Sequence, residues 1–452
     1  MLFRSLTPLD ECGSSPTVGS FTPVTEWSWD TFTTEPTSEN VMMTPIVVSL
    51  TDDDGDGDAD EDDTPDIVFV TYVGTNWTGE GVLRAVSGDG SAEIFNATGY
   101  SIDGCSGVAG GDLDGDGWTD LVVVTTDKKV RAFEADGTLK WTSSAYTSNI
   151  GSYSSTPAIA DMDGDGYAEI IAGSNILSYD GTLLGHGEYG VGSCPNEGYG
   201  LLEGSISVPV DLNGDGELEV VVGNAAYEMD GTALYTNGLD DGNVAIADFD
   251  LDGEPEIVVA SGNDIYTLES DMTPTGWSDE FQSTNYIGPI AADDLDGDGA
   301  PEFVAVGSSQ MRAYTWSGRK LWTQRITDAS GAAGPIMFDF EMDGYPEIIH
   351  ADEVSIKVFN GLDGSIKLES DDHSSYTLFE TPAVADVDND GEVEIILAHG
   401  QGTYGLTVYG DADHSWPPGR PIWNQHAYSI TNVDDDGGIP TSQTPKIGRA
   451  HV

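Results

Sequence analysis

The chain has 452 residues, 80 of them acidic and 15 basic, for a formal net charge of −65. A field of that sign and size excludes nucleic acid and anionic membrane surfaces as partners, since both repel it. No apolar run is long enough to span a bilayer, and internal repetition, not length, sets the domain count at one large domain.

Residues 1–20 are polar and rich in Ser, Thr and Pro, and read as a linker or the remnant of an upstream region. The opening MLFRSLTPLDECGSS lacks an apolar core of signal-peptide length. At 21–32 the segment FTPVTEWSWDTF alternates as a strand does and carries Trp27 and Trp29. It resembles the end of a repeated unit, a strand able to complete the last unit of a closed ring.

An acidic stretch follows, with Asp52, Asp54, Asp56, Asp58, Asp60 and Asp63 spread over twelve residues around Gly57. Its length matches an EF-hand loop, although Ala59 replaces the usual aliphatic residue and Asp63 the usual glutamate. Seven nine-residue loops come after it, clearest in Asp161-Met162-Asp163-Gly164-Asp165-Gly166-Tyr167-Ala168-Glu169. Acids occupy positions 1, 3, 5 and 9, glycine position 6, and position 7 offers its backbone carbonyl. The others run Asp112, Asp114, Asp116, Trp118, Asp120; Asp211, Asn213, Asp215, Glu217, Glu219; and Asp248, Asp250, Asp252, Glu254, Glu256. They continue as Asp294, Asp296, Asp298, Ala300, Glu302; Asp339, Glu341, Asp343, Tyr345, Glu347; and Asp386, Asp388, Asp390, Glu392, Glu394.

Oxygen-only donors at that density suit a hard cation, and calcium is the natural one. Asp-Gly runs also make plain turns, but turns alone would not keep acids and glycine at fixed offsets eight times. Seven or eight calcium ions are therefore expected, with Asn213 and Glu341 as departures at position 3.

Around each loop the plan repeats. A short apolar run such as TPAIAD (156–161) enters it, a β-rich run such as AEIIAG (168–173) leaves it, and a hairpin follows. The hairpins are legible in VRAFEADGTLKW (130–141), MRAYTWSGRKLW (311–322) and IKVFNGLDGSIKLE (356–369). Units start near residues 44, 104, 156, 206, 243, 288, 334 and 381, and first loop positions are 37 to 60 residues apart. Four short strands at such a period, without helical periodicity, predict an all-β fold: a β-propeller of eight blades, or seven if a terminal unit is incomplete. The cation loop would join the first two strands of each blade, small apolar first runs would line the channel, and Trp141, Trp277 and Trp322 would fill the wider outer gaps. The expected domain spans 21–440, followed by a tail at 441–452. Residues 447–452 can be encoded by a common sequencing-adapter string and are excluded from the fold.

GPIAADDLDGDGAPEFVAV (288–306) and TPAVADVDNDGEVEIILA (381–398) resemble the repeats of FG-GAP or VCBS proteins, related to the integrin α-subunit propeller. The resemblance covers residues 41–410 and implies calcium bound between the first two strands of a blade. No inserted metal-dependent adhesion domain interrupts the units. The tail segment SWPPGRPIWNQHAYSITNVDDDGGIP (415–440) resembles one that closes such domains in large bacterial surface or secreted proteins. Its Asn424, Gln425 and His426 read as a hydrogen-bonded structural group and not as a catalytic one.

Cys12, Cys105 and Cys194 are odd in number and lack metal-ligand spacing, so at most one disulfide forms within the chain. Connections opposite the cation loops include 146–155, 185–204 and 371–380, where Tyr153, Tyr189, Tyr199 and Tyr376 are candidates for stacking on sugars or anchoring a protein. The resulting expectation is an extracellular or cell-surface adhesion or interaction module, a monomeric domain of a larger protein, with a glycan or protein ligand. A propeller enzyme of the polysaccharide-lyase or quinoprotein kind is the alternative. Against a lyase, the visible bases (Lys128, Lys129, Arg312, Arg319, Lys320) lie on hairpins, and no catalytic residue is assigned.

Overall fold

The computed structural model describes residues 21–53, 55, 57, 59–60, 63–144, 155–193, 204–281, 286–376 and 378–442. Cys12, Cys194, Tyr153, Tyr199, Asp54, Asp56, Asp58 and the segment 447–452 lie outside them.

Each acidic turn sits between two short strands, because the turn reverses the chain and the apolar runs beside it pair antiparallel. In the third unit Ala158–Ala160, Glu169–Ala172, Asn175–Leu177 and Leu183–His186 form one four-stranded meander. The first three strands are buried throughout and the fourth is largely exposed, so burial falls from the centre outward. The same meander recurs to give eight sheets in a ring, an eight-bladed β-propeller with no helix among the described residues. The alternative of seven blades is thereby corrected: the first unit, despite its longer loop, builds a complete sheet.

The innermost strands of blades 1 to 8 are Ile46–Val48, Val108–Gly111, Ala158–Ala160, Val208–Val210, Asn243–Ala247, Ala291–Asp293, Ile336–Phe338 and Ala383–Ala385. Small and β-branched residues dominate them, as a crowded channel wall requires. Blade 1 departs from the rest, for Ser38–Val41 and Ile46–Val48 both pair with Asp66–Val73 and form one interrupted inner edge.

Ring closure uses the N-terminal segment. Pro23–Trp29 pairs antiparallel with Gly405–Asp411 and supplies the outer strand of blade 8, as the alternation at 21–32 predicts. Outer gaps between blades are filled by fourth-strand aromatics that lie on the hairpin glycine of the next blade. A Cβ on Gly181 would stand 2.6 Å from the Trp141 ring, and its φ of +81° also favours glycine. Trp277 lies likewise on Gly318, Trp322 on Gly364 and Trp27 on Gly90. Trp141 and Trp322 each donate their indole N–H to a carbonyl of the next blade, of Tyr179 and Gly361, at 2.7 Å.

The C-terminal segment dips into the channel. Trp423 exchanges two backbone hydrogen bonds of 2.9 Å with Val47 of blade 1. Asn424 bonds the backbone of Gly110 in blade 2, and Gln425 Oε1 accepts the Ile159 N–H of blade 3 at 2.7 Å. The chain then returns to the face of the acidic loops, where the Gly437 carbonyl accepts the Asp112 N–H at 3.1 Å.

Candidate metal centres

The eight acidic loops project from one face of the ring, each at the turn from innermost to second strand. Their local hydrogen bonding is shared. The first aspartate accepts backbone N–H groups from within its own loop: Asp161 takes Gly164 at 2.8 Å and Gly166 at 2.9 Å. Asp52, Asp112, Asp211 and Asp294 bind their two glycines the same way. Asp248, Asp339 and Asp386 hold the sixth-position glycine. The fifth acid accepts the N–H of the seventh residue: Asp116 from Trp118, Asp165 from Tyr167, Asp215 from Glu217, Asp252 from Glu254, Asp298 from Ala300, Asp343 from Tyr345 and Asp390 from Glu392. These bonds shape the loop but leave carboxylates facing one another.

The ninth acid heads the second strand and is buried. One oxygen of Glu169, Glu219, Glu256, Glu302, Glu347 and Glu394 accepts the N–H of loop position 2, at 2.7 to 3.0 Å. In blade 3, oxygens of Asp161, Asp163 and Glu169 lie within 4.8 Å of one another. So do those of Asp248, Asp250, Asp252 and Glu256 in blade 5, Asp294, Asp296 and Glu302 in blade 6, and Asp112, Asp114 and Asp116 in blade 2. Asp165 and Asp298 stand outside the groups of their own blades. In blade 4 the Asn213 amide bonds Glu219 at 3.0 Å. At blade 8 the gathered trio is Asp390, Glu392 and His414.

Burial first, and neighbouring carboxylates after it, push the ninth acids up to about 7 for Glu169, Glu219 and Glu256, about 8 for Glu302 and about 9 for Glu394. Asp114 Oδ1, Asp296 Oδ1 and Asp386 Oδ1 are buried with no hydrogen-bond partner. Orphaned hard oxygens among mutually repelling acids fit a divalent cation, and calcium's tolerance of irregular oxygen sets suits them.

Three residues of these loops escaped the sequence reading. Asp66 heads the second strand of blade 1, is fully buried, and accepts the Leu50 N–H at 3.1 Å, the place a glutamate takes elsewhere. The longer first loop hid it, because the template was anchored on Asp52 and closed at Asp63. Asp63 itself is buried and accepts the Asp53 and Asp60 N–H groups. The other two are Lys140 and Lys367, each inserted among loop carboxylates of its own blade. Comparing units across their hairpins, at DGTLK (136–140) and DGSIK (363–367), carries that signal.

The channel retains a cavity of about 140 Å³ between the C-terminal segment and blades 4 to 6, lined by Val208, Val210, Val244, Ile246, Ile290 and Tyr428. His426 borders it and approaches Thr44 Oγ1 at 3.3 Å. Burial holds its imidazole down to about 4, so it stays neutral at physiological pH. On the opposite face Tyr376 packs edge-on against Trp77, with centroids 5.7 Å apart, and Tyr189 is 64% exposed.

Residues 112–172 and 294–350 match the family model described as FG-GAP-like repeat. The chain is an eight-bladed β-propeller carrying FG-GAP-like repeats. Among solved structures it is similar to the V. cholerae biofilm matrix protein Bap1, with a TM-score of 0.81 and 21% identity over 94% of this chain and 97% of that one. A Bacillus licheniformis rhamnogalacturonan lyase matches with a TM-score of 0.60 and 16% identity, over 94% and 81% of the two chains. A quinohemoprotein alcohol dehydrogenase from Pseudomonas putida HK5 matches at 0.55 and 13%, over 86% and 76%. At these identities the likeness is one of fold. No curated protein matches the sequence.

Proposed function

We propose that the protein is an extracellular adhesion or interaction module whose propeller is stabilised by calcium and whose glycan or protein ligand docks on the face opposite the calcium loops. The observation that carries this reading is the distribution of the acids. They form one local group per blade turn instead of converging on a single centre, which suits ions that fix turns and neutralise repulsion. A fold shared with a biofilm matrix protein supports an extracellular setting. Tyr376, Trp77 and Tyr189 supply aromatic surface on the opposite face.

The lyase-like alternative needs a lysine or similar base with a proton vacancy beside calcium. Lys140 and Lys367 stand near the loops, but each donates to two or more carboxylates, which holds the ammonium charged. Thermal unfolding of residues 21–442 with calcium and with EDTA, with metal content measured on the same sample, tests the calcium reading. A large calcium-dependent rise in midpoint with several ions per chain is expected, and Asp163→Ala should lower the midpoint in calcium while leaving the EDTA value nearly unchanged. No shift and no metal would sink the reading. A glycan array and a pull-down with matrix proteins, repeated with Tyr189→Ala and Tyr376→Ala, then test the face.

A further inference from the structure

Two of the nine-residue loops carry a cation of their own. In blade 2, Lys140 Nζ lies 2.9 Å from Asp114 Oδ2, 3.0 Å from Asp120 Oδ2 and 3.2 Å from Glu134 Oε2. In blade 7, Lys367 Nζ bonds Glu341 and lies 2.6 Å from Glu347 Oε1. Both lysines hold one place in the repeat, on the fourth strand three residues beyond the hairpin glycine. Leu184, Leu234 and Leu321 occupy that place in blades 3, 4 and 6.

The same two blades break the loop pattern. Asp120 closes the blade 2 loop where the other six nine-residue loops have glutamate, and Glu341 stands third in blade 7 where the others have Asp or Asn. The geometry links the two departures. In blades 3, 5 and 6 the ninth glutamate belongs to the gathered oxygens, whereas the gathered acids of blade 2 omit Asp120. One methylene shorter, Asp120 turns to the ammonium instead. In blade 7, Glu347 keeps its bond to the Phe340 N–H with one oxygen and gives the other to Lys367. A lysine therefore takes, in both blades, the ninth-position oxygen that the loops of blades 3, 5 and 6 have available for a metal ion.

We propose that Lys140 and Lys367 are built-in counter-ions that make the loops of blades 2 and 7 weak calcium sites, able to stay assembled without the ion that the other loops require. The proposal rests on the calcium reading of the loops. A monovalent ammonium relieves part of the repulsion among the acids, and a calcium ion entering there must compete with an ammonium already ion-paired to them. Asp114 Oδ1 remains without a partner, so blade 2 keeps a reduced capacity rather than none.

Ion content of the whole chain, dialysed against a series of chelator-set free calcium levels, tests this. The double variant Lys140→Met, Lys367→Met should retain two more ions per chain at low calcium than the parent and should lose more stability in EDTA. The reciprocal variant Leu184→Lys should retain one ion fewer, with its circular dichroism in calcium unchanged. Equal retention in parent and double variant, with a single affinity class, overturns the proposal. If the double variant does not fold even in calcium, Leu184→Lys decides, and an unchanged ion count overturns it. No ion in any chain overturns the calcium reading and this proposal together.

Discussion

Gln425 Oε1 accepts the Ile159 N–H at 2.7 Å inside the channel, and the amides of Asn424 and Gln425 also reach the carbonyls of Gly110 and Ile159. Both side chains are fully buried, so each bond replaces water that cannot enter. Replacing Gln425 with alanine leaves a buried strand N–H without a partner and is expected to cost about 1–3 kcal/mol. Urea unfolding in saturating calcium measures it, and a loss within error of zero would mean that water repairs the site. The residue types at 424–426 announce hydrogen bonding in the sequence, but not their partners, which lie 314 and 266 residues upstream. Lys140 and Lys367 were illegible for a related reason: their meaning lies in which loop acids a fourth-strand side chain reaches, and linear spacing does not encode that. Asp66 was missed because an insertion moved it out of the nine-residue frame.

The element most exposed to a single deletion is the strand Pro23–Trp29. It supplies the outer edge of blade 8, while Trp27 covers Gly90 of blade 1 and Phe21 stacks on Trp416 with centroids 5.4 Å apart. The chain then crosses to blade 1, where the buried Arg84 guanidinium bonds the carbonyls of Thr34 and Ser38 at 2.9 and 3.2 Å. Removing residues 21–32 unpairs the edge Gly405–Asp411 and opens the ring. The midpoint should fall by at least about 3 °C, since losing one large aromatic costs about 3 kcal/mol and each kcal/mol moves a chain of this length by about 1 °C. Hydrogen exchange at 405–411 should quicken in the same variant, and unchanged protection there would argue that another segment closes the ring. This strand was legible because a two-residue alternation with tryptophans needs an edge to pair with, and the acidic turns already implied a ring with a seam. The interrupted inner edge of blade 1 was not legible, because Ser38–Val41 lies before the first apolar run and carries no loop of its own.

Across the whole molecule the net charge of −65 and the buried ninth acids act in one direction. Glu169, Glu219 and Glu256 are raised to about 7, Glu302 to about 8 and Glu394 to about 9, all from an ordinary 4.5. Between the ordinary and the raised values the folded chain holds protons that the unfolded chain has released. Stability without metal is therefore greatest near the ordinary glutamate range and falls as pH rises through about 7 to 9. Below that range the opposite group takes over. Asp127, drawn down to about 2 with Arg131 as a bonded partner, loses its contribution as pH drops through its own value. Calcium binds the ionised carboxylates, so its stabilisation should grow over the window where the metal-free protein weakens. Calorimetric midpoints from pH 4 to 9, in EDTA and in calcium, are expected to start close together and diverge steadily above about pH 6. Parallel curves would mean that the ninth acids are ionised in the metal-free fold and that repulsion among them is relieved by something other than a cation.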